Sequence, residues 1–395
     1  MPQPRLEEMT LQPLVGLPAL VQMRVSALTQ FVIQTHDQQD VAQLSMQMFY
    51  ALQALGQHDF ALDMQARALT RRRLYRIAGR GRASIRLLAL MGPGNMLSNT
   101  PLDFLTEHVD VQLDLLYLRL GEPLPEVIPD HDVAIVALGE SDQHRNLLLQ
   151  IESQIAHWPR PVLNHPQHIL NCGRERAYEL LRDVAQILVP RTRRLSREQL
   201  GGCVPPFTIR PLDTHAGEGL ERIETPAQLQ DYLHRYHHDE YFVSQYVESR
   251  SPDGLYRKMR VALIDGRPYA CHLAISDHWI VHYIPAGMHL CHAKRAEEQD
   301  WMESFDNDFA KRHAAAFEAI ARRLGLDYVV LDCAQASDGR LLVFEADSRA
   351  WVHASEPVDV FAYKRAVMQK AFDAFESLLL RRCVRSGMRL TSAAD

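Results

Sequence analysis

The strongest hydrophobic–polar pattern in the chain lies between residues 328 and 353. Tyr328-Val329-Val330-Leu331 is an apolar, β-branched run, the chain turns at Ser337-Asp338-Gly339, and it returns as Leu341-Leu342-Val343-Phe344. Asp-Gly between two such runs predicts a β-hairpin. With Asp338 and Gly339 as a two-residue loop, Asp332 falls opposite Glu345. Asp347 then shares their face, because side chains two apart in a strand point the same way. Three carboxylates on one face, two of them opposed, repel one another. A hard divalent cation bound through their oxygens removes that cost. The competing reading is a solvated hairpin whose acids only keep it soluble, and the otherwise apolar residues 343–347 argue against it.

Upstream, residues 18–78 read as helical, with apolar residues at helical spacing over 42–69 and a break at Leu55-Gly56. Leu55-Gly56, Phe60-Ala61 and Ala68-Leu69 fall where a tetratricopeptide unit places its small and apolar residues. One unit cannot bury its own faces, so a helical hairpin packed on the next domain is expected, in preference to a free peptide-docking module. Arg80-Gly81-Arg82 reads as a linker. Apolar runs at 85–90, 111–118, 133–138 and 162–164 alternate with helical stretches and predict a mostly parallel sheet. Gly92 and Gly94 form a strand-to-helix turn, not a dinucleotide fingerprint, since Leu97 holds the third glycine position. Glu140 and Ser141 stand at the carboxyl end of a strand, where such sheets bind ligands.

In the second half, a helix is expected over 171–184 and a strand over 206–211. That strand ends near Arg210 and leads into a loop containing Gly217 and Gly219. A cation followed by small residues that let backbone N–H groups approach suits polyphosphate; a plain surface loop is the alternative. A strand over 241–248 ends in Gln245-Tyr246-Val247-Glu248, and runs at 258–264 and 269–274 form a hairpin through Asp265-Gly266. Histidines crowd the next stretch, at 272, 278, 282, 289 and 292. Cys291-His292 matches no closed zinc spacing, so a histidine-lined substrate pocket is preferred, with scattered surface histidines as the alternative. A helix over 309–324 ends at Gly325 as C-cap, a last amphipathic helix covers 363–380, and 391–395 forms a tail.

With 395 residues, two or three domains are expected. Hydrophobic residues make up 47% and charged residues 23%, the balance of an ordinary globular protein. A formal net charge of −6 argues against a general nucleic-acid or anionic-membrane surface. Six cysteines without a CxxC motif suggest reduced thiols and a cytoplasmic location. The first residues lack an uninterrupted apolar core, so no signal peptide is expected. No run reaches the ~20 apolar residues of a membrane helix.

The ordered set, from Arg174 and Arg176 through TIRP and its glycine loop, VSQYVE and YRKMRVALIDG to D…DG…VFEAD, resembles the ATP-grasp superfamily of ligases over roughly 87–380. The resemblance implies an α/β and α+β multidomain chain. Its parts are a helical segment (1–80), a small parallel-sheet pre-ATP-grasp domain (81–170) and a two-subdomain ATP-grasp domain (171–385) with its hinge near 244–248, followed by a tail (386–395). It implies ATP and Mg²⁺, with Mn²⁺ as an alternative, and Asp332, Glu345 and Asp347 as metal ligands. Arg210 and Arg174 (or Arg176) take the phosphate-binding positions with Gly217 and Gly219. Gln245, Tyr246 and Val247 take the hinge, Glu248 the ribose, and Arg260 the transferred phosphate. The chain departs from the usual pattern in carrying arginine at both lysine positions and Asp347 where asparagine is common.

The implied activity is ATP-dependent ligation of a small-molecule or peptide carboxylate to an amine or other nucleophile, through an acylphosphate. A kinase on the same fold and a non-catalytic docking protein are the alternatives. His272, His282 and Arg349 are the candidate substrate contacts, and a homodimer is left open.

Overall fold

A computed structural model describes residues 13–23, 25–35, 40–79, 83–214 and 217–385. Asp40 accepts hydrogen bonds from the N–H groups of Ala42 (3.0 Å) and Gln43 (3.1 Å), and so starts the helix Val41–Ala54. Gly56, at φ 73°, lets the chain turn into the helix His58–Leu69. Met46, Phe49, Ala61 and Leu69 of these helices share one core with Leu87, Leu88 and Leu115 of the first sheet. Gln65 fastens the two: its Nε2 donates to the Gly94 carbonyl (2.9 Å) and its Oε1 accepts from the Gly94 N–H (2.8 Å). Residues 18–78 are not helical throughout, because Leu74–Arg76 is an edge strand with only Tyr75 buried.

The first sheet contains β1 (Leu74–Arg76), β2 (Ile85–Met91), β3 (Val111–Tyr117), β4 (Val133–Val136) and β5 (Val162–Leu163), in the order β1-β3-β2-β4-β5. All pairs are parallel except β1–β3. Its central strands are covered on both faces, which is why they read as unbroken apolar runs.

The chain then passes through β6 (Ile187–Leu188) into a four-stranded antiparallel sheet. That sheet holds β7 (Thr192–Ser196), β8 (Phe207–Pro211), β9 (Glu221–Ile223) and β10 (Glu240–Gln245), in the order β7-β10-β8-β9. The helix Pro226–Arg235 begins with a reciprocal cap between Thr225 and Gln228. It closes a second, smaller core with Phe207, Ile209, Ile223, Tyr241 and Val243.

The third sheet runs β12-β11-β13-β14-β6, from β11 (Tyr256–Ile264), β12 (Arg267–Ser276), β13 (Tyr328–Gln335) and β14 (Leu341–Asp347). Only β14–β6 is parallel. Leu331 and Ala346 of this sheet share the large core with Phe372 and Phe375 of the helix Val358–Arg385.

Two hairpins in this sheet turn differently. Asp265 (φ 50°) and Gly266 (φ 76°) form the expected two-residue loop, with Ile264 opposite Arg267. In the second, the Ala336 N–H bonds the Arg340 carbonyl (2.9 Å), so the loop has three residues, Ser337, Asp338 and Gly339. The two-residue loop expected at Asp338-Gly339 is therefore absent. Asp332 nevertheless faces Glu345, because an extra residue, Phe344, is inserted in β14: Cys333 faces Val343 and the next pair is Asp332 with Glu345.

Other expectations are corrected in detail. The helix over 309–324 is interrupted at His313, giving Phe309–Arg312 and Ala314–Leu324, with Gly325 (φ 76°) as its C-cap. Over 171–184 only Arg174–Leu181 is α-helical, after a 3₁₀ turn at Leu170–Cys172. The strand expected over 241–248 stops at Gln245. Arg80-Gly81-Arg82 and 386–395 lie outside the described residues. Among the described residues no helix is long and apolar enough to cross a membrane.

Candidate functional site

Arg260, Asp332 and Glu345 form one rung across β11, β13 and β14. Lys258 and Asp347 extend the same face by two residues along their strands. These side chains face a cavity of about 370 Å³, which also takes in Arg174, Arg210, Gly217, His282, Arg349 and Trp351. Asp332 accepts from Arg260 Nε (2.8 Å) and Nη2 (3.1 Å) and from Lys258 Nζ (3.0 Å). Glu345 accepts from Arg174 Nη2 (2.7 Å), and Asp347 from Arg349 Nε (2.9 Å) and N–H (2.8 Å). Burial works to raise the Asp332 carboxyl, but Arg260 and Lys258 outweigh it and hold it well below the usual carboxylate range. Arg349 fits only because residue 139 is glycine: a Cβ there would lie 1.8 Å from its side chain.

The charges in this chamber do not balance. Arg174 pairs with Glu345, Arg260 with Asp332 and Arg349 with Asp347. Arg257 is held from outside by Asp253 (2.6 Å) and Glu297 (3.0 Å). Among the described residues that leaves Arg210 without an ion pair and Lys258 sharing its only acid, Asp332, with Arg260. Arg210 is 8% exposed, and its guanidinium bonds the hydroxyl (3.1 Å) and carbonyl of Thr214, not a carboxylate. Burial first, then the repulsion of Arg174, lowers it to about 10. An anion in the chamber would relieve that cost.

A second cavity of about 150 Å³ adjoins the chamber and shares Arg174, Arg210, Trp279, Phe344 and Glu345 with it. Its other walls include Val189, Pro190, Gln245, Val247, Val343 and Ala346. Tyr246 is fixed there between the Arg222 guanidinium, 3.8 Å above its ring, and the edge of Trp279. An apolar slot opening into a cation-lined chamber suits a ligand with a flat apolar end and a polyanionic one.

Of the phosphate-binding expectations, Arg174, Arg210 and Gly217 line the chamber, whereas Arg176 bonds Asn171 (3.4 Å) and lines neither cavity. Gly219 supports β8 instead: its carbonyl accepts from the Tyr232 hydroxyl (2.7 Å), and a Cβ would meet Pro211 at 2.6 Å. Glu248 is exposed, bonded to the Tyr246 hydroxyl (3.1 Å) and the Arg250 N–H (2.9 Å), and lines neither cavity. His282 lines the chamber, while His272 lies opposite Arg260 on β12 and packs on the Tyr283 ring (4.8 Å) outside the lining.

Sequence reasoning did not single out Lys258, Trp279 or Trp351. Lys258 was within reach, being two residues before Arg260 on the same strand face. Glu140 borders a small adjoining pocket of about 40 Å³ with Arg174, Asp347 and Arg349, and burial raises its carboxyl to about 7.

Carboxylate oxygens are the donors a hard divalent cation takes. Among the described residues, however, no three or more His, Cys, Asp or Glu side chains converge closely enough to hold a metal by themselves. The opposed pair Asp332 and Glu345, with Asp347 along the same face, therefore fits an ion that takes one or two of these carboxylates and completes its shell with phosphate oxygens and water, as Mg²⁺ prefers, and not a protein-only cage.

No protein-family description matches the chain, and no curated protein does. Among solved structures, the chain is similar to the D-alanine–D-alanine ligase of Bacillus anthracis complexed with ATP (15% identity, TM-score 0.45, 77% of this chain and 100% of that one). It is also similar to the VanG D-Ala:D-Ser ligase of Enterococcus faecalis (14%, 0.47, 75% and 99%) and to a RimK domain ATP-grasp protein of Sphaerobacter thermophilus (15%, 0.44, 74% and 99%). Likeness this remote assigns neither substrate nor activity.

Proposed function

We propose that this protein is an ATP-grasp enzyme, an ATP-dependent ligase that joins a carboxylate to an amine or other nucleophile through an acylphosphate. Its parts on this reading are an N-terminal helical segment that ends before β1, a largely parallel-sheet domain that takes in β1 and runs to about residue 170, and the ATP-grasp domain 171–385, hinged near 244–248. The observation that carries it is the buried Arg210, without a carboxylate partner among the described residues, where an apolar slot meets a cation-lined chamber.

The slot, with Gln245, Tyr246 and Val247 on its wall, takes the adenine. Arg174 and Arg210 take the phosphates, as permanently charged forks suited to their oxygens. Asp332, Glu345 and Asp347 would hold Mg²⁺, which neutralises phosphate charge when bound. Arg260 is fixed by Asp332 at both its Nε and Nη2, and so presents a preorganised charge beside the transferring phosphoryl group. The γ-phosphoryl group passes to a carboxylate oxygen and ADP leaves. The amine then attacks the acyl carbon, phosphate departs, and the amine gives up a proton. The acylphosphate needs a water-poor site, and Trp279, Ile280 and Val281 give the chamber an apolar stretch of wall.

The test is incubation with ATP, Mg²⁺ and a panel of carboxylates in hydroxylamine. A ligase yields a hydroxamate, with ADP and phosphate in equal amounts. A stable phosphorylated product without phosphate release would make it a kinase, and AMP with pyrophosphate would overturn both.

A further inference from the structure

Lys258 has a charge that the proposed nucleotide reading leaves without a role. Its carboxylate, Asp332, is already gripped by Arg260 through two hydrogen bonds (2.8 and 3.1 Å). A second cation on one acid is not needed to neutralise it, so Lys258 adds net positive charge to the chamber.

The position of that charge separates it from the cation that lacks an ion pair. Arg210, like Arg174, borders both the slot and the chamber, and so lies where a nucleotide would pass from base to phosphates. Lys258 borders the chamber alone. The other residues found only on the chamber side are of two kinds, apolar ones such as Ile280, Val281 and Trp351 and charged ones such as Arg260, Asp332 and Arg349. The part of the chamber away from the slot therefore combines Lys258 with two internally paired sets of charges, Arg260 with Asp332 and Arg349 with Asp347, and with aliphatic and indole surface. The chamber has about 370 Å³ against about 150 Å³ for the slot, which leaves room for a ligand beyond the phosphates.

We infer that Lys258 is the specificity residue for the second ligand of this site, a carboxylic acid with an apolar body. Its ammonium receives the carboxylate, while Trp351, Ile280 and Val281 cover the carbon skeleton. A polar dicarboxylate is disfavoured, because Arg257, Arg260 and Arg349 already have carboxylates and its second charge would lose water without gaining a free cation. This rests on the proposed nucleotide reading and adds to it the class of acid.

The experiment measures binding to the full chain by calorimetry in the presence of saturating ADP and Mg²⁺. The probes are 3-phenylpropionate, its uncharged counterpart 3-phenylpropanamide, and succinate. The wild type should bind 3-phenylpropionate saturably and bind the amide at least about tenfold more weakly, the size expected for one lost charge-assisted hydrogen bond, and succinate at least about tenfold more weakly because its second charge is desolvated unpaired. Lys258→Met should weaken 3-phenylpropionate by about tenfold or more, and Lys258→Arg should restore most of it. Lys258→Met keeps the Arg260–Asp332 pair, and a thermal melt checks that each variant is folded. Equal binding of acid and amide, a preference for succinate, no binding of 3-phenylpropionate, or undiminished binding in Lys258→Met would each overturn the inference. Titration with ADP alone keeps the two readings apart. If ADP binds and 3-phenylpropionate does not, this inference fails alone; if the acid binds with the expected preference and ADP does not, the nucleotide reading fails alone.

Discussion

Asp332 lies directly across from Glu345 because two one-residue irregularities cancel. The three-residue loop at Ser337, Asp338 and Gly339 shifts the register by one, and the insertion of Phe344 shifts it back. Had β14 kept the register set by the loop, Phe344 would face Asp332 and Glu345 would turn to the opposite face, since strand side chains alternate. The bulge also turns Phe344 outward, to 36% exposure, between the slot and the chamber. Bulges next to ligand sites commonly re-aim a side chain in this way.

The rung through that pair carries buried charge, and removing its acid should be costly. Asp332→Asn leaves Arg260 and Lys258 without their carboxylate. Breaking a buried pair from one side typically costs roughly 3–5 kcal/mol. Urea unfolding should show a loss of that order, partly recovered when Lys258→Met is added. An Asp332→Asn protein as stable as the wild type would mean that these charges are not held by the rung.

Much of this is legible in the sequence, and the exceptions have physical causes. Apolar alternation and Asp-Gly locate β11 to β14, and the opposition of Asp332 and Glu345 is expected through a two-residue loop that does not exist. No residue pattern announces a bulge, because its signal is a pairing between strands and not a property of one. The strand β1 is absorbed into a helical reading because Leu74-Tyr75-Arg76 is too short to show alternation. Lys258 can be placed from strand periodicity. Glu248 cannot be excluded from the site on sequence, because the strand's end at Gln245 is set by its partners β7 and β8. Trp351 and Trp279 lie beyond the ends of β14 and β12, where no period constrains their direction.

Arg210 should show opposite effects on binding and stability. Arg210→Met removes a buried cation that lacks a carboxylate, so the melting temperature should hold or rise. ADP affinity should fall by roughly 1.5–3 kcal/mol, the worth of hydrogen bonds to a charged group. Calorimetry and a thermal melt on the same sample read both. Undiminished ADP affinity would remove Arg210 from the phosphate path.

The N-terminal helices are expected to be part of the folding unit. Gln65→Leu strips the hydrogen bonds from both half-buried Gly94 backbone groups, and a net loss of about 0.5–1.5 kcal/mol per bond is expected. The Gly94 amide should then exchange with solvent markedly faster. Deleting residues 1–70 would expose the apolar face that Phe49, Ala61 and Leu69 cover, and an aggregating product is expected. A soluble, equally stable truncation would instead favour a separate docking module.

Asp103 gives the packing of those helices a pH signature. Its carboxyl is buried and accepts from the Leu17 N–H (2.7 Å), at the start of the first described helix. Burial raises it from 3.8 to about 6, against the pull of the Leu17 bond. In the unfolded chain the group loses its proton near its ordinary value, while the folded protein keeps it until about pH 6. Between those limits the folded state holds the extra proton, so stability falls as pH rises. Below the window both states are protonated and above it both are ionised, so the contribution is flat on either side. Each tenfold change in proton affinity is worth about 1.4 kcal/mol, so the fall is at most about 3 kcal/mol. Asp103→Asn removes the titration and keeps an oxygen for the Leu17 N–H. Urea unfolding from about pH 4 to about pH 8 should therefore give a wild-type-minus-variant difference that declines to about pH 6 and then levels. A difference that is flat throughout, or that rises with pH, would mean that Asp103 is already ionised in the folded protein.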